Sequence, residues 1–474
     1  MQKSGGEMHW SHPWDTPGVV RVSRCFPRRR KVRRMITRSC IVSCFIVSCF
    51  IVLFTVLSLH AFTSDYASGR VMDFLTKKPI EGAIVTGNNE TVLTDKDGAF
   101  VIKNAATKIG IRAYGYARGE QILSAHQVKA PLDIYLRPFI PKALYLTYYG
   151  IGDRSLRESA LNLVKETELN SFVIDVKGDR GVITYKSSIP LASEIGAQKL
   201  VIVKDIKSLT QSLREKGIYT VARIVVFKDN LLGAARPELT VRTQEGGTYR
   251  DRENLIWVDP SLKEVWDYNI DIAVEAAQNG FDEIQFDYVR FPDKRGLKFA
   301  VANTEENRVK YISGFLCEAK RRLAPYNVFV AADIFGYVPW NLDDTQIGQK
   351  IESVSSCVDY ISLMLYPSGF QFGIPGYRKP VAHPYEIVSL SLKKARERTN
   401  IPSVRFRPWL QAFKDYAFDR RYFYGPEIRN QIRAAEEFGS DGWMLWNPRN
   451  IYKTDGLKKE PVSKNTMRQD GSIG

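Results

Sequence analysis

The residues with the clearest chemical potential lie in one stretch, 280–292, which reads GFDEIQFDYVRFP. Large apolar residues alternate in it with a mostly polar set, and a period of two sends the two sets to opposite faces of a strand. The polar set reaches Asp287, and Arg290 lies just beyond it. A carboxylate at the C-terminal end of a strand suits a barrel enzyme, because the catalytic loops of a barrel gather at that end.

Similar polar and aromatic groups follow the other strand-like runs of the chain. They are Tyr148, Tyr149, Asp175, Lys177, Arg223, Lys228, Asp333, Tyr366, Gln411, Trp446 and Asn447. Together they are typical of a sugar site, in which carboxylates do acid–base work and aromatic and polar side chains hold the substrate. The residues predicted to bind substrate are Asp175, Lys177, Arg223, Arg290, Tyr366, Gln411, Trp446 and Asn447.

Glycoside cleavage needs two carboxyl groups, one protonated and one ionised. We predict Asp287 as the nucleophile or base and Asp333, in the run AADIFG after the next strand, as the acid. Adjacent strands lie ~4.8 Å apart, so two inward carboxylates there can reach the ~5–10 Å range of catalytic pairs. Asp175 could instead orient the substrate or replace Asp333 as the second carboxylate.

Structural roles remain open for several of these residues. Asp287 could be a structural carboxylate paired with Arg223 or Arg290, since ion-paired carboxylates also occur inside barrels. Tyr366 and Trp446 could pack in the core rather than bind sugar. Glu283 starts its strand, so it is expected low in the barrel in a structural role.

Other chemistries have less support. The chain has five histidines, and only His383 falls in the barrel region. A zinc hydrolase with two or three histidine ligands is therefore disfavoured, as is a Ser-His-Asp hydrolase unless His383 serves. The sequence contains no glycine-rich phosphate loop, and Asp95, Asp97 and Gly98 favour a turn over a calcium loop. We predict no metal and no cofactor.

The elements that must position these residues are strands alternating with helices from residue 142 onward, a pattern typical of a parallel sheet. Predicted strands cover 143–149, 171–177, 219–227, 283–291, 328–336, 358–366, 405–413 and 442–447. Predicted helices cover 155–168, 203–216, 262–279, 305–323, 344–355, 384–398 and 426–438. Eight strands with intervening helices predict an α/β fold, a (β/α)₈ TIM barrel. The long segment 228–261 is predicted to be a functional loop.

The stretch GFDEIQFDYVRFP resembles the signature of the Putative glycosyl hydrolase domain family, and the resemblance runs from about 142 to about 452. It implies a bacterial barrel that acts on glycosidic bonds. The same strand is similar to the chitinase motif DxxDxDxE, but the terminal glutamate is absent because Tyr288-Val289-Arg290 follows Asp287. Chitinase chemistry is therefore disfavoured.

Residues 66–138 predict a small β-sandwich, with short alternating strands separated by Gly, Asp and Asn turns. The runs SGRVMDFLTKKPIEGAIV and TDKDGAFVI resemble the carboxypeptidase regulatory-like domain, a transthyretin-like fold. The resemblance implies a spacer or binding accessory. Residues 138–141 read as a stiff linker to the barrel.

The charge distribution points to a membrane rather than to nucleic acid. Residues 1–38 hold ten Lys or Arg and two acids, which is half of the net charge of +16. Residues 41–59 follow as nineteen uncharged residues, nearly enough for a helix to span a bilayer. A basic leader at 1–38, a signal-anchor helix at 39–62 and a cytoplasmic N-terminus are predicted by the positive-inside rule. Cleavage as a signal peptide, giving a secreted protein, is the alternative.

Cys317 and Cys357 are the only cysteines beyond the apolar run, and each is predicted to be a buried small hydrophobe rather than half of a disulfide. Residues 453–474 are predicted to be a polar tail. The leading hypothesis is a membrane-anchored extracytoplasmic glycoside hydrolase acting on an envelope or exopolysaccharide glycan. The alternative is a non-catalytic carbohydrate-binding barrel at the cell envelope. The predicted partners are a polysaccharide and the membrane, with no nucleic acid; protein partners are undetermined.

Overall fold

The structure is a computed structural model that describes residues 66–87, 90–103, 108–123 and 131–459. The predicted leader, 1–38, and the predicted signal-anchor helix, 39–62, lie outside the described residues, as does the end of the chain from 460. Within the described ranges, every helix is too short or too polar to cross a membrane.

Two small sheets precede the barrel. The strands are β1 (Tyr66–Asp73), β2 (Ile84–Gly87), β3 (Glu90–Leu93), β4 (Ala99–Lys103), β5 (Lys108–Arg112), β6 (Gly119–Ile122) and β7 (Leu132–Leu136). One sheet has the order β4-β1-β7 and the other β3-β2-β5-β6. Apolar side chains from both sheets, such as Val71, Val85 and Ile134, share one buried cluster. We call this part the β domain; its membership of the carboxypeptidase regulatory-like family stays a prediction.

The segment from Asp95 to Gly98 forms the turn before β4. The Asp95 carboxylate accepts hydrogen bonds from the backbone nitrogens of Asp97 and Ala99, each at 2.9 Å. The Gly98 nitrogen donates to the Asp95 carbonyl at 2.9 Å. The aspartate that could have suggested calcium is thus used to close the turn on its own backbone.

Eight parallel strands then close into a barrel. They are β8 (Lys142–Leu146), β9 (Ser171–Lys177), β10 (Tyr219–Val225), β11 (Glu283–Asp287), β12 (Phe329–Phe335), β13 (Tyr360–Met364), β14 (Trp409–Gln411) and β15 (Trp443–Trp446). Each strand pairs with the next in sequence, and β15 closes the ring on β8 through the pair Trp443 and Lys142. The predicted (β/α)₈ barrel is confirmed.

The helices surround the barrel on its outside. The longer ones are Arg154–Glu166, Ile206–Glu215, Lys263–Gln278, Glu305–Leu323, Ile351–Cys357, Pro384–Thr399 and Gly425–Phe438. Short helices occur at Tyr148–Gly152, Pro190–Glu194 and Asn230–Ala235. Side chains such as Asp153, Asp205 and Thr304 cap helix starts by accepting from backbone nitrogens. One large apolar cluster fills the space between the helices and the strands.

Strand β11 shows how the alternation sorts its side chains. Phe286 points outward and packs edge-on against Phe315 of helix Glu305–Leu323, with the ring centroids 5.1 Å apart. Glu283 points inward at the start of the strand, where it pairs with Arg407 and accepts from the Tyr219 hydroxyl at 3.0 Å. Glu283 therefore lies at the end of the barrel where the strands begin, as the sequence predicts.

The β domain docks on the end of the barrel where the strands begin. Asp282, just before β11, pairs with Arg118 of the β domain at 2.8 Å and accepts from the backbone nitrogen of Thr220 at 2.9 Å. The backbone nitrogen of Gly115 donates to Asp441, just before β15, at 3.1 Å. Both contacts lie at the end opposite Asp287, and the two parts belong to one compact unit.

Two details of the outer layer differ from expectation. Cys317 and Cys357 form a disulfide, with their Cα atoms 4.4 Å apart, because the helices that carry them lie side by side. The prediction that each is an unpaired buried hydrophobe was wrong. The predicted helix at 344–355 begins only at Ile351, since Asp344 instead accepts from the backbone nitrogens of Gln346 and Gly348.

The start of the predicted tail packs on the barrel. Leu457 belongs to the main apolar cluster, and the Lys458 nitrogen donates to the carboxylate of Glu168 at 2.9 Å. Residues up to 459 thus include contacts with the barrel, made by a buried apolar side chain and by a backbone nitrogen bound to a buried glutamate. The polar tail predicted at 453–474 stays a prediction, and its part from 460 onward lies outside the described residues.

Candidate active site

A cavity of about 750 Å³ opens where the barrel strands end. Its lining residues are Arg223, Glu253, Asp287, Tyr288, Arg290, Asp293, Asp333, Phe335, Thr345, Ile347, Gln349, Met364, Tyr366, Trp409, Phe413, Tyr416, Trp446 and Pro448. This is the end where barrel enzymes carry their active sites. The cavity therefore gathers both predicted carboxylates with two of the predicted aromatic residues.

Register places the two carboxylates side by side. Phe286 of β11 pairs with Ala332 of β12, and the next residues along the two strands are Asp287 and Asp333. Neighbouring strands lie about 4.8 Å apart, so the two inward side chains start from adjacent positions. Both carboxyl groups line the same cavity.

Asp287 is held by Arg223 and by its own turn. Its Oδ2 accepts from Arg223 Nε at 3.0 Å and also from Arg223 Nη2, and its Oδ1 accepts from the Tyr288 backbone nitrogen at 2.6 Å. The strand ends here because Tyr288 adopts a left-handed conformation with φ of 49°. Asp287 is thus the anionic partner of a buried ion pair, with 6% of its surface exposed.

Asp175 forms a second ion pair with Arg223. Its Oδ1 accepts from Arg223 Nη1 at 2.6 Å, and its Oδ2 accepts from the Tyr145 hydroxyl at 2.7 Å. Burial raises the pKa of Asp175, while the ion pair with Arg223 opposes that rise. Asp175 is absent from the cavity lining, so its contact with the cavity is indirect, through Arg223.

Asp333 occupies a different environment. It is 1% exposed, and its Oδ1 accepts from the Trp409 indole nitrogen at 2.7 Å. Burial raises the pKa of Asp333 well above its ordinary value of 3.8, and the nearby charge of Asp287 adds to the rise. Arg223 and the Trp409 hydrogen bond act in the opposite direction. Asp333 is therefore the carboxyl group of the pair whose raised pKa favours the protonated form.

Aromatic rings form the cavity floor and one wall. The Trp446 ring stacks on Tyr145 with centroids 3.9 Å apart and meets Trp409 edge-on at 5.3 Å. On the wall, the Tyr366 ring lies edge-on to Phe413 at 5.5 Å. The Arg223 guanidinium lies 5.0 Å from the centre of the Trp446 ring, so charged and aromatic groups share one surface.

Arg290 lines the opposite side of the cavity. Its guanidinium carbon lies 4.9 Å from the Trp257 ring centre and 5.5 Å from that of Tyr288. Trp257 comes from the long segment predicted at 228–261, which also contributes Glu253 to the cavity. Lys228 ties this segment together by pairing with Asp251 at 3.0 Å and with Glu253 at 2.5 Å.

Besides Asp175, three further residues predicted to bind substrate lie outside the cavity lining. Lys177 is fully buried and donates to the Val225 carbonyl at 2.6 Å and to Asn269 at 2.9 Å, on the helix side of the sheet. A register shift between β9 and β10 turns it outward, because a bulge inserts one extra residue and reverses the alternation.

The other two, Gln411 and Asn447, bind neighbouring loops. Gln411 donates to the Ser368 hydroxyl at 2.7 Å and to the Phe413 carbonyl at 3.2 Å. Asn447 donates to the carbonyls of Ala412 and Ile451, each at 2.8 Å. Both residues therefore shape the cavity wall through the loops they hold.

Several lining residues were missed by the sequence reasoning. Trp409 precedes Gln411 by two, so the same alternation that selected Gln411 could have found it. Thr345, Ile347 and Gln349 fall within the helix predicted at 344–355 but instead form a loop beside the cavity. The sequence gives little indication of this loop, because the local pattern of residues does not show that the Asp344 carboxylate accepts hydrogen bonds from the backbone nitrogens of Gln346 and Gly348.

Among the residues of the described ranges, no group of three or more His, Cys, Asp or Glu side chains is arranged to hold a metal ion. The chemistry available in the cavity comes from four carboxyl groups (Glu253, Asp287, Asp293 and Asp333), two guanidinium groups and aromatic rings.

The barrel matches a known family by sequence. Residues 143–452 match the model of the family described as Putative glycosyl hydrolase domain. Comparison with curated protein sequences returned no significant match. The family match covers all eight barrel strands except the first residue of β8.

Solved structures give further similarities. A hypothetical protein from Ruminiclostridium thermocellum is 38% identical over 40% of this chain and 96% of that chain, with a TM-score of 0.37. The PgaB (BpsB) glycoside hydrolase domain from Bordetella bronchiseptica is 14% identical over 68% of this chain and 100% of that chain, with a TM-score of 0.48. The spore cortex-lytic enzyme SleL from Bacillus megaterium is 13% identical over 70% and 76% of the two chains, with a TM-score of 0.39. All three TM-scores are below 0.5, so the family match carries the comparison.

Proposed function

Because the chain belongs to the Putative glycosyl hydrolase domain family, we propose that it hydrolyses O-glycosidic bonds of a glycan bound in the barrel cavity. The observation that carries the proposal is the pair of carboxyl groups in unlike environments, Asp287 and Asp333, at adjacent positions on neighbouring strands. Glycoside hydrolysis needs one protonated and one ionised carboxyl group.

Asp333 is the general acid in this proposal. Burial raises its pKa well above the ordinary value, which favours the protonated form, and the carboxyl group can donate its proton to the glycosidic oxygen as the bond breaks. The Trp409 indole nitrogen, 2.7 Å from Oδ1, fixes the orientation of the carboxyl group. That donor can also stabilise the carboxylate that forms when the proton leaves.

Asp287 is the nucleophile. Arg223 binds its Oδ2 through two nitrogens and is its partner of opposite charge. Oδ1 accepts one hydrogen bond among the described residues, from the Tyr288 backbone nitrogen, so this oxygen keeps a lone pair for the anomeric carbon. Asp175 and Tyr145 then act as positioning residues, because they hold Arg223 in place.

The spacing favours retention of configuration at the anomeric carbon. Adjacent strand positions lie about 4.8 Å apart, and carboxyl groups about 5–5.5 Å apart are typical of retaining enzymes, against about 6.5–9.5 Å in inverting ones. Asp287 would displace the leaving oxygen and form a glycosyl ester while Asp333 protonates that oxygen. Asp333 would then take a proton from the water that hydrolyses the ester.

We further propose that the substrate is an envelope or exopolysaccharide glycan, with the chain anchored by residues 39–62 and its N-terminus in the cytoplasm. The basic leader followed by an uncharged apolar run supports the anchor. The disulfide between Cys317 and Cys357 supports export, because disulfides persist mainly in oxidising compartments. Secretion after cleavage of the same segment remains the alternative.

One observation favours the second candidate, a non-catalytic carbohydrate-binding barrel. Both oxygens of Asp287 already accept hydrogen bonds, as a purely structural carboxylate would. In a binding barrel, Trp446, Tyr366 and Arg290 would hold a glycan, and the carboxyl pair would take no part in bond cleavage.

Release of reducing ends separates the two candidates. The fragment 64–474 and its Asp287→Asn variant are incubated with the envelope polysaccharides of the host, and reducing ends and bound glycan are both measured. Release by the unmodified fragment alone is the expected result. Retained binding with release by neither protein would support the binding barrel instead, and equal release by both would remove Asp287 from the mechanism.

A further inference from the structure

A line of aromatic rings leads from the cavity rim onto the outer surface of the barrel's C-terminal end. It consists of Phe335, Tyr337 and Phe372, and we call it the aromatic ridge. Phe335 lines the cavity, and its ring centroid lies 5.9 Å from that of Tyr337, which lies 6.3 Å from that of Phe372. The ridge is therefore continuous with the proposed catalytic cavity.

Phe372 is the outermost ring and is 92% exposed, more than any other large hydrophobic side chain among the described residues. A buried phenylalanine side chain stabilises a fold by roughly 1.5–3 kcal/mol relative to an exposed one, and this position forgoes that contribution. Exposed apolar surface beside a cavity is typical of a binding site.

The backbone under Phe372 is fixed. Its nitrogen donates to the Tyr337 hydroxyl at 2.9 Å, and that hydroxyl donates to the Gly373 carbonyl at 3.2 Å. The Tyr337 ring also packs on the buried Phe370, with centroids 4.9 Å apart. Gly373 has φ of 72°, and a Cβ there would meet the Tyr377 carbonyl oxygen at 2.5 Å, so the turn requires glycine. These hydrogen bonds and the glycine therefore hold the turn in a conformation that exposes Phe372.

The cavity has a second aromatic surface on another side. Tyr416 is 48% exposed and lines the cavity, and its ring lies parallel to that of Phe413, with an angle of 6° and centroids 6.2 Å apart. Tyr416 follows β14, whereas Phe335 is the last residue of β12 and Tyr337 comes just after it. A chain bound across the cavity would therefore meet aromatic rings on both of its sides.

We propose that the aromatic ridge binds sugar rings of the glycan beyond the cleavage position, so that the enzyme cleaves inside long chains. This inference rests on the proposed function. A sugar ring has an apolar face and a polar edge, which suits a flat exposed aromatic ring, and continuity with the cavity favours the same glycan as the occupant. Chains too short to reach Phe372 gain nothing from the ridge.

Chain-length dependence of hydrolysis tests the inference on the full-length protein. The substrates are size-fractionated oligosaccharides cut from a polysaccharide that the unmodified protein hydrolyses. Phe372→Ala is expected to raise KM for the long fractions by about five- to tenfold, as expected for loss of one aromatic contact of about 1 kcal/mol, with kcat unchanged. The short fractions should show no change, and Phe372→Trp should keep the original KM.

Leu342→Ala is the matched control, because Leu342 is also highly exposed, at 81%, and does not line the cavity. It should leave KM unchanged at every length. An unchanged KM of Phe372→Ala for long chains would overturn the inference. An equal rise for short and long chains would also overturn it, because that result indicates a disturbed cavity.

A lipid surface is the competing occupant, and a second measurement addresses it. The Phe372→Trp variant is reconstituted in phosphatidylglycerol vesicles that contain brominated acyl chains. Its additional indole fluorescence should respond to long oligosaccharide and escape quenching by bromine; quenching without a response to oligosaccharide would assign the ridge to the membrane and overturn the inference. If the unmodified protein releases no reducing ends from any polysaccharide, the proposed function itself fails, which is a distinct outcome.

Discussion

Two carboxyl groups of the same type acquire different properties from their neighbours. Asp287 contacts Arg223 and a backbone nitrogen, whereas Asp333 is buried beside an indole nitrogen and the negative charge of Asp287. The first environment pairs the carboxylate with a cation, and the second raises the pKa of Asp333 and so favours its protonated form. This difference divides the roles of nucleophile and acid without any difference in residue type.

The pH dependence of kcat tests the role of Trp409. The acid must be protonated, so kcat should fall as pH rises through the raised pKa of Asp333. The Trp409 hydrogen bond lowers that pKa, so Trp409→Phe should move the alkaline limb upward by about one pH unit, with the acidic limb little changed.

Trp443→Phe is the control for that measurement. Trp443 is equally buried, and its indole nitrogen has no hydrogen-bond partner among the described residues. Its alkaline limb should stay in place. A downward shift of the limb in Trp409→Phe would contradict the proposed contact between the indole and the acid.

Much of this site could be predicted from alternation along single strands. The inward positions of Asp287 and Asp333 follow from a period of two and from the tendency of barrel strands to end in catalytic loops. Lys177 could not be placed correctly, because one bulge between β9 and β10, just before the last residue of β9, turns this side chain to the other face. The sequence predicts that Asp175 points into the barrel. Its partners Arg223 and Tyr145 come from other strands, so no local sequence pattern predicts these contacts.

At the scale of elements, the spacing of apolar residues predicts whether a segment is a helix or a strand better than it predicts where that element ends. All eight barrel strands were expected, yet β11 stops at Asp287 because Tyr288 turns left-handed. The first residues of the helix expected at 344–355 form a loop instead, because the Asp344 carboxylate accepts a hydrogen bond from the backbone of that loop. The loop lines the cavity. Contacts between side chains and the backbone determine where such elements end. The spacing of apolar residues in the sequence does not reveal these contacts.

The disulfide joins two outer helices, Glu305–Leu323 and Ile351–Cys357, across a sequence separation of 40. Replacing both cysteines, as in the double variant Cys317→Ala and Cys357→Ala, should lower the free energy of unfolding by about 2–4 kcal/mol, because the unfolded chain regains the freedom that the cross-link removes. Urea unfolding measures the difference.

Catalysis at 25 °C should be unaffected in the same variant, since neither cysteine lines the cavity. The unmodified protein in reductant should show a similar loss of stability. An unchanged midpoint and slope of the urea transition in both cases would show that the bond contributes nothing to stability in solution.

At the scale of the whole molecule, the β domain and the cavity occupy opposite ends of the barrel. Arg118 and Asp282 join the β domain to the end where strands begin, and Asp287 lies at the other end of the same strand. The β domain is therefore placed to support the barrel and not to contact a glycan in the cavity.

Arg118→Met tests that support. The variant removes the nearer of the two arginine partners of a carboxylate whose side chain is only 11% exposed. Asp282 keeps Arg214 at 3.9 Å and its hydrogen bonds from Thr220. The free energy of unfolding should fall by about 1–3 kcal/mol, as measured in urea, with kcat unchanged. The exposed Arg154, changed to Met, should cost almost nothing; a large loss of kcat in Arg118→Met would contradict the separation of the β domain from catalysis.

The most direct test of the central claim compares kcat for the unmodified protein, Asp287→Asn, Asp333→Asn and the double variant on one accepted glycan. Each single change should lower kcat by about 10²–10⁴-fold, and the double variant should be no slower than the slower single variant, because the two groups act as a unit. Asp293→Asn, which alters another carboxylate of the cavity lining, should stay within about tenfold of the unmodified rate. A rate near that of the unmodified protein in either single variant, or effects that multiply in the double variant, would contradict the paired-carboxylate mechanism.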